Sequence, residues 1–107
     1  MATFSATFST VSVPTDAGKV PEVMKGRDAV RIANLTTSGS SQNLQATGGG
    51  DWSAPESGFV AITCDGAVNL HIAASPTAAA TAGFALNSGE RLFLGVVTGD
   101  KIAVINA

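Results

Sequence analysis

The apolar residues of this chain alternate with polar ones at the two-residue period of β-strands, and no segment shows the period of a helix. The strand signal is strongest in residues 83–107, where two continuous apolar runs, 91–97 and 101–106, flank the turn-forming triplet Thr98-Gly99-Asp100. A strand, a turn and a strand in this order predict a β-hairpin at the end of the sequence.

Both faces of this predicted hairpin are apolar. One face carries Leu92, Leu94, Val96, Ile102 and Val104. The other face carries Phe93, Val97, Ala103 and Ile105. A sheet with one solvent-facing side normally alternates between apolar and polar residues. We therefore expect the second face to be covered by another layer of the domain or by a second subunit.

A second hairpin is predicted over residues 58–73, with Asp65-Gly66 as its turn. An Asp-Gly pair between alternating runs favours a type I′ turn, which requires positive φ at both central residues. The inward faces are predicted to carry Val60, Ile62 and Cys64 on one strand and Val68, Leu70 and Ile72 on the other, with Asn69 and His71 pointing away.

Shorter strands are predicted within residues 27–36, 42–47 and 84–86, and turn residues separate all of these segments. Many short strands without helical periodicity indicate an all-β chain. The predicted fold is a single antiparallel β-sandwich or small barrel.

Residues 1–26 are predicted to form an extended N-terminal arm, and residues 27–107 the β-sandwich domain. A Thr-Phe-Ser triplet around Phe4 recurs around Phe8, but the valines that follow fall on the opposite parity. Two interpretations stay open: a frayed terminus with a local strand, or an arm that docks on a neighbouring subunit. The second interpretation rests on the apolar side chains of the arm, which are too many for a solvated tail: Phe4, Phe8, Val11, Val13, Val20, Val23 and Met24.

Composition narrows the classes of partner. Charged residues make up 13% of the 107 residues, the net charge is −2, and no basic cluster is present. We therefore expect no nucleic-acid partner, and a surface that is neutral and polar or hidden in an assembly. The single cysteine allows no internal disulfide, which is typical of a reducing compartment. No signal peptide and no membrane-spanning run are recognised, so no membrane partner is expected.

The sequence offers little catalytic chemistry. His71 is the only histidine and Cys64 the only cysteine, so a zinc site within one chain lacks ligands. Their parities place them on opposite faces, which argues against a nucleophile–histidine pair. We predict no catalytic residue, no metal site and no cofactor. Trp52 has two interpretations, a packing residue or a sugar-stacking platform, of which packing is the commoner role.

Four segments carry a family resemblance: residues 48–55 (GGGDWSAP), 58–60 (GFV), 74–78 (ASPTA) and 99–107 (GDKIAVINA). Together they resemble small structural proteins of tailed bacteriophages. The resemblance covers about residues 42–107 and does not extend to the N-terminal part. It implies a virion component, a β-sandwich that assembles as trimers on the capsid surface. Related proteins also occur at the neck, the tail and the fibre base.

The leading hypothesis is a non-enzymatic capsid decoration or cement protein that bridges neighbouring major capsid protein subunits. Its expected partners are other copies of itself, as a homotrimer, and the major capsid protein. Its expected location is the virion, after synthesis in the bacterial host cytoplasm. The residues predicted at its interfaces are Phe4, Phe8, Val11, Val13, Trp52, Phe93, Val97 and Ile105.

Three alternatives stay open. The first is a structural protein of the phage neck, tail or spike and fibre base. The second is a carbohydrate-binding module, which needs an exposed aromatic platform. The third is a small cupin-like enzyme, which needs a histidine cluster that one histidine does not supply.

Overall fold

The computed structural model describes residues 2–12, 23–24, 30–79 and 83–107. Over these residues the chain is all-β and contains no helix. The described residues form ten strands: β1 (Thr3–Ser9), β2 (Val11–Ser12), β3 (Val23–Met24), β4 (Val30–Thr36), β5 (Gln42–Asn43), β6 (Gly58–Cys64), β7 (Val68–Ala73), β8 (Phe84–Leu86), β9 (Arg91–Val96) and β10 (Lys101–Asn106).

Eight of these strands form a β-sandwich, which confirms the predicted fold class. The first sheet has the order β4-β1-β6-β9, and the second has the order β5-β10-β7-β8. All pairs are antiparallel. From β4 onwards the chain changes sheet at almost every connection, which is the winding of a jelly roll. Strands β2 and β3 form a separate two-stranded ladder.

The core lies between the two sheets and follows the predicted alternation. Val60, Ile62 and Cys64 of β6 point inward, as do Val68 and Leu70 of β7. Burying each of the four branched side chains among them contributes roughly 1.5–3 kcal/mol. The remaining large members of the core are Phe4, Phe8, Ile32, Leu44, Trp52, Leu86, Val96, Ile102 and Val104.

The prediction of an N-terminal arm outside the domain is wrong for residues 3–9. These residues form β1, which lies between β4 and β6 in the middle of the first sheet. Phe4 and Phe8 are buried in the core of their own chain. The backbone N–H of Ala2 donates a hydrogen bond to the Thr37 hydroxyl, and the backbone N–H of Thr37 donates one to the Ala2 carbonyl. These two hydrogen bonds fix the start of the strand. The remainder of the predicted arm is described only at β2 and β3.

The predicted hairpin around Asp65-Gly66 is also wrong, because β6 belongs to the first sheet and β7 to the second. The two residues instead form a corner between sheets. Gly66 is not among the glycines with positive φ. A Cβ at Gly66 would lie 2.8 Å from the Cβ of Ala2, so a larger residue is opposed by this neighbour rather than by the backbone conformation.

The predicted final hairpin fails for the same reason. Strand β9 pairs with β6, whereas β10 pairs with β5 and β7 in the other sheet. The triplet after Val97 does turn tightly, since Gly99 has a φ of 89° and the Asp100 carboxylate accepts from the Val97 N–H at 3.0 Å. A tight turn therefore joins strands of different sheets here.

Candidate assembly surface

Three residues predicted at an interface lie inside the domain. Phe4, Phe8 and Trp52 are all buried, and Trp52 retains only 5% of its surface. The rings of Phe8 and Trp52 pack with centroids 5.7 Å apart and planes tilted by 51°. The prediction that these three side chains contact another subunit is therefore wrong, because the domain's own core covers them.

Two further predicted interface residues give no side-chain information. The backbone of Val11 pairs with Met24 in the β2–β3 ladder. Val13 lies outside the described residues. Their assignment to an interface stays a prediction.

The apolar stripe predicted on the last two strands does not form one surface. Phe93 is on β9 of the first sheet and Val97 directly follows that strand, whereas Ala103 and Ile105 are on β10 in the second sheet. Phe93 and Val97 are 56% and 58% exposed, but Ala103 is fully buried and Ile105 is half-buried. The four residues therefore share a parity in the sequence but not a surface in the fold. Of the four, only Phe93 and Val97 are largely exposed.

The chain itself covers Ala103. Thr77 donates its backbone N–H to Nδ1 of His71 on β7 at 3.3 Å, and Ala78 donates to the Ser41 hydroxyl beside β5 at 2.9 Å. Since β10 lies between β5 and β7, the segment around these residues crosses over its outer face. Pro76 and Ala78 are buried there. The second sheet is thus supplied with a cover by the loop after β7.

Three of the four large apolar residues that are most exposed lie on or directly after the strands β8 and β9, which are the outermost strands of this side; the fourth, Val30, lies on β4 at the opposite side. We call Phe84, Phe93 and Val97 the edge patch. Phe84 is 48% exposed, and the other two are more exposed still. A cleft of about 220 Å³ runs between the two sheets on this side, with Phe84 and Ile72 on one wall and Leu94 on the other. Several large apolar side chains therefore meet solvent along one side of the molecule.

Strand β9 has a free edge beside this patch. It pairs with β6 only, and no other described strand bonds to its opposite side. An exposed edge offers unpaired N–H and C=O groups to another chain, and proteins commonly block it with lysine, proline or a bulge. The β9 sequence RLFLGV contains one arginine and neither lysine nor proline. Its edge is accordingly suited to pairing.

Phe84 is a residue that the sequence pattern did not single out. It shares parity with Leu86 on β8, yet Leu86 is buried and Phe84 is half exposed. Alternation reports which face a side chain takes, but not whether the opposite sheet extends far enough to cover it. No local signal distinguishes these two residues.

The structure places the cysteine and the histidine of this chain in different sheets. Cys64 is buried on β6 of the first sheet, whereas His71 is exposed on β7 of the second. The two strands are not paired, in contrast to what the hairpin prediction required. Within the described residues, no three His, Cys, Asp or Glu side chains are close enough to hold a metal ion.

The clearest polar network is next to the glycine-rich loop at residues 48–50. The Asn43 amide donates to Oδ2 of Asp51 at 2.9 Å, and the Gln45 amide donates to Oδ1 at 2.8 Å. These two hydrogen bonds, Asn43 first, lower the pKa of Asp51 below its ordinary value of 3.8. Both donors are neutral amides, one at the end of β5 and one just after it, so the network ties Asp51 back to this strand end and presents no reactive group.

No protein-family model, curated protein or solved structure matches this chain. In the part of the chain that the structure describes, there is no helix long and apolar enough to cross a membrane.

Proposed function

We propose that this chain is a non-enzymatic structural protein that associates with copies of itself through one side of its sandwich. This is the side where β8 and β9 are the outermost strands, which we call the open side. The observation that carries the proposal is the edge patch of Phe84, Phe93 and Val97 beside the free edge of β9. Single exposed apolar residues are ordinary, but a group that borders an unpaired edge strand marks an interaction site.

The composition supports the same function. Charged residues are only 13% of the chain, so few charges oppose contact between neutral copies. Pairing along β9 would satisfy its outward N–H and C=O groups, and the patch would add burial of aromatic and branched side chains. Both contributions are independent of ionic strength to first order.

The contact in a homotrimer joins two different surfaces. If β9 of one copy paired with β9 of the next, the contact would be its own mate and would close at two copies. A ring of three requires the edge patch to meet another part of the neighbouring copy. This arrangement repeats one contact three times around an axis.

The more specific proposal is a capsid decoration or cement protein that bridges major capsid protein subunits. It rests on the resemblance of residues 42–107 to small phage structural proteins. A protein that binds only the assembled shell stabilises that shell by mass action. Repetition over a lattice would multiply a standard interface of about 1,600 Å².

Trp52 no longer supports the alternative of a sugar-binding module through that residue, since its ring is buried against Phe8. The alternatives of a neck, tail or fibre-base protein differ from the decoration protein in stoichiometry. Quantifying this chain in purified particles separates them. Hundreds of copies per particle are expected for decoration, and a handful would instead indicate the neck or tail.

Self-association is tested by placing a charge in the edge patch. We expect Phe93→Lys to shift the sedimentation profile at micromolar concentration from an oligomer towards a monomer, because lysine on an edge strand opposes pairing. Val30→Lys is the matched control, since Val30 is 48% exposed at the start of β4 on the opposite side. A wild-type monomer at these concentrations, or equal effects of both variants, would contradict the proposal.

A further inference from the structure

The outer face of the first sheet carries a depression of about 220 Å³ that lies apart from the edge cleft. It is lined by small polar residues, one alanine and two arginines: Ser5, Thr7, Arg31, Ala61, Thr63 and Arg91. All six belong to the four strands of that sheet. The depression is therefore built on rigid β-structure rather than on a loop.

Strand register explains how the arginines come to flank it. Arg31 on β4 is opposite Thr7 on β1, and Thr7 is opposite Ala61 on β6. Arg91 on the far strand β9 is opposite Thr63. The two guanidinium groups thus stand on the two outermost strands, and short side chains of the central strands form the floor between them.

No acidic side chain among the described residues neutralises the positive charge in this depression. None of the six lining residues is acidic. Arg31 donates to the neutral Oδ1 of Asn34 at 3.3 Å. The nearest carboxylate in sequence, Glu90, accepts from the backbone N–H of Asn87 at 3.0 Å and so belongs to its own turn. Neither arginine pairs with a carboxylate of the described residues.

We propose that this depression binds a small organic carboxylate, of the size of a sugar acid. A guanidinium group pairs with a carboxylate through two parallel N–H···O bonds, so one arginine would hold the carboxylate of the ligand. The second arginine, at the opposite end, would donate to hydroxyl oxygens of the ligand. The hydroxyls of Ser5, Thr7 and Thr63 donate to and accept from hydroxyl groups of the ligand.

Phe93 favours an organic ligand over an inorganic anion. It is directly opposite Ala61 across the β6–β9 ladder and is 56% exposed. Phe93 does not line the depression itself, but it stands next to Ala61 on the face that carries it. From there its ring can pack against the apolar side of a ligand that extends beyond the depression. An inorganic oxyanion would use the arginines but gain nothing from this ring.

The test is to titrate probe compounds into the full chain at low salt and to monitor its amide signals by ¹H–¹⁵N NMR. Glucuronate is the main probe, glutarate supplies carboxylates without a sugar ring, and glucose supplies the ring without the charge. We expect saturable shifts at the amides of Thr7, Ala61, Thr63 and Arg91 with glucuronate, weaker ones with glutarate and none with glucose. Inorganic phosphate is expected to bind more weakly than glucuronate.

Arginine variants assign the effect to this depression. Arg31→Gln and Arg91→Gln should each weaken glucuronate binding about two- to fivefold, as expected for an exposed charge pair, and the double variant should remove it. Lys101→Gln is the matched control, because it removes one positive charge from β10 in the other sheet. Unchanged unfolding midpoints verify that the variants stay folded.

Three results would overturn the proposal. Equal weakening by Lys101→Gln would show a general charge effect rather than a site. Phosphate binding as tight as glucuronate binding would contradict the carboxylate assignment. Absence of saturable shifts with glucuronate in the wild-type protein would exclude the site altogether.

Discussion

The two long sides of the sandwich are finished differently. On the side where β4 and β5 are outermost, Ala33 donates its backbone N–H to the Gln45 carbonyl at 3.0 Å, which ties one sheet to the other. Leu44 and Trp52 are buried beneath this connection. On the side of β8 and β9, no described backbone hydrogen bond joins the two outermost strands, and the edge patch is exposed.

This difference arises because the chain covers one side of the sandwich with its own residues. The segment after β5 returns across the first side and brings its tryptophan into the core. An equivalent cover is absent from the described residues on the second side. A sandwich of this size can bury its central strands alone, but the described residues leave one side without such a cover. That asymmetry is the basis of the proposed self-association.

The largest expected effect on stability is at Trp52, and it is best measured against the same truncation of Phe93 on the other side. Trp52→Ala should destabilise the domain by about 3–5 kcal/mol, because it leaves a cavity beside Phe8. Phe93→Ala should change the free energy of unfolding of the dilute monomer by no more than about 0.5 kcal/mol, since its ring is mostly exposed. Chemical denaturation measures both.

The comparison between the two sides would break if these two variants were equally destabilised. It would also break if Phe93→Ala left the concentration dependence of sedimentation unchanged while Trp52→Ala altered it. The first result would mean that the open side is part of the core. The second would place the association surface on the opposite side.

A smaller effect is expected at Gly83, where the chain enters β8 on the open side. Its φ is 92°, and a Cβ there would lie 2.7 Å from the Leu70 carbonyl oxygen. Gly83→Ala should cost about 1–3 kcal/mol through backbone strain and this contact. Gly89→Ala is the control, since Gly89 also has positive φ but no atom within 4 Å of its added Cβ. A loss no larger than the control's would show that β8 can shift, so that the open side is adaptable.

The sequence predicts the faces of individual strands better than their partners. Alternation correctly places Val60, Ile62 and Cys64 inward, because each side of a strand sees a different environment. The Asp65-Gly66 pair predicts a hairpin, yet it forms a corner, because turn residues specify a local bend and not which sheet the next strand joins. Strand choice is set by the packing of the whole core.

The same limit explains the errors at the N-terminus and at the binding surfaces. Phe4 and Phe8 are recognisable as apolar side chains that need cover, but the sequence does not say that the cover is their own domain. Arg31 and Arg91 are far apart in the chain, and only the strand order places both at one depression. Of the predicted interface, Phe93 and Val97 keep the exposure that the prediction requires.

The smallest expected effect is a pH dependence of stability, which arises from Asp51 on the side where β4 and β5 are outermost. Asp51 accepts hydrogen bonds from Asn43 and Gln45, which lower its pKa below 3.8 in the folded protein. A carboxyl whose pKa is lowered by folding contributes stability that is fully present above the unfolded value, about 3.8. That contribution is lost as the pH falls through the lower, folded pKa. Thermal unfolding between pH 6 and pH 2 should therefore show a small acid-dependent loss.

Two variants isolate this contribution. Asn43→Ala removes the stronger of the two donors, so the pKa of Asp51, followed by carboxyl ¹³C NMR, should rise towards 3.8. Asp51→Asn removes the titrating group, so the difference in unfolding temperature between the wild type and this variant should shrink below pH 3.8. If the Asp51 resonance titrates identically with and without Asn43, the amide network does not hold the carboxylate. The connection that closes this side would then depend on the backbone bond between Ala33 and Gln45 alone.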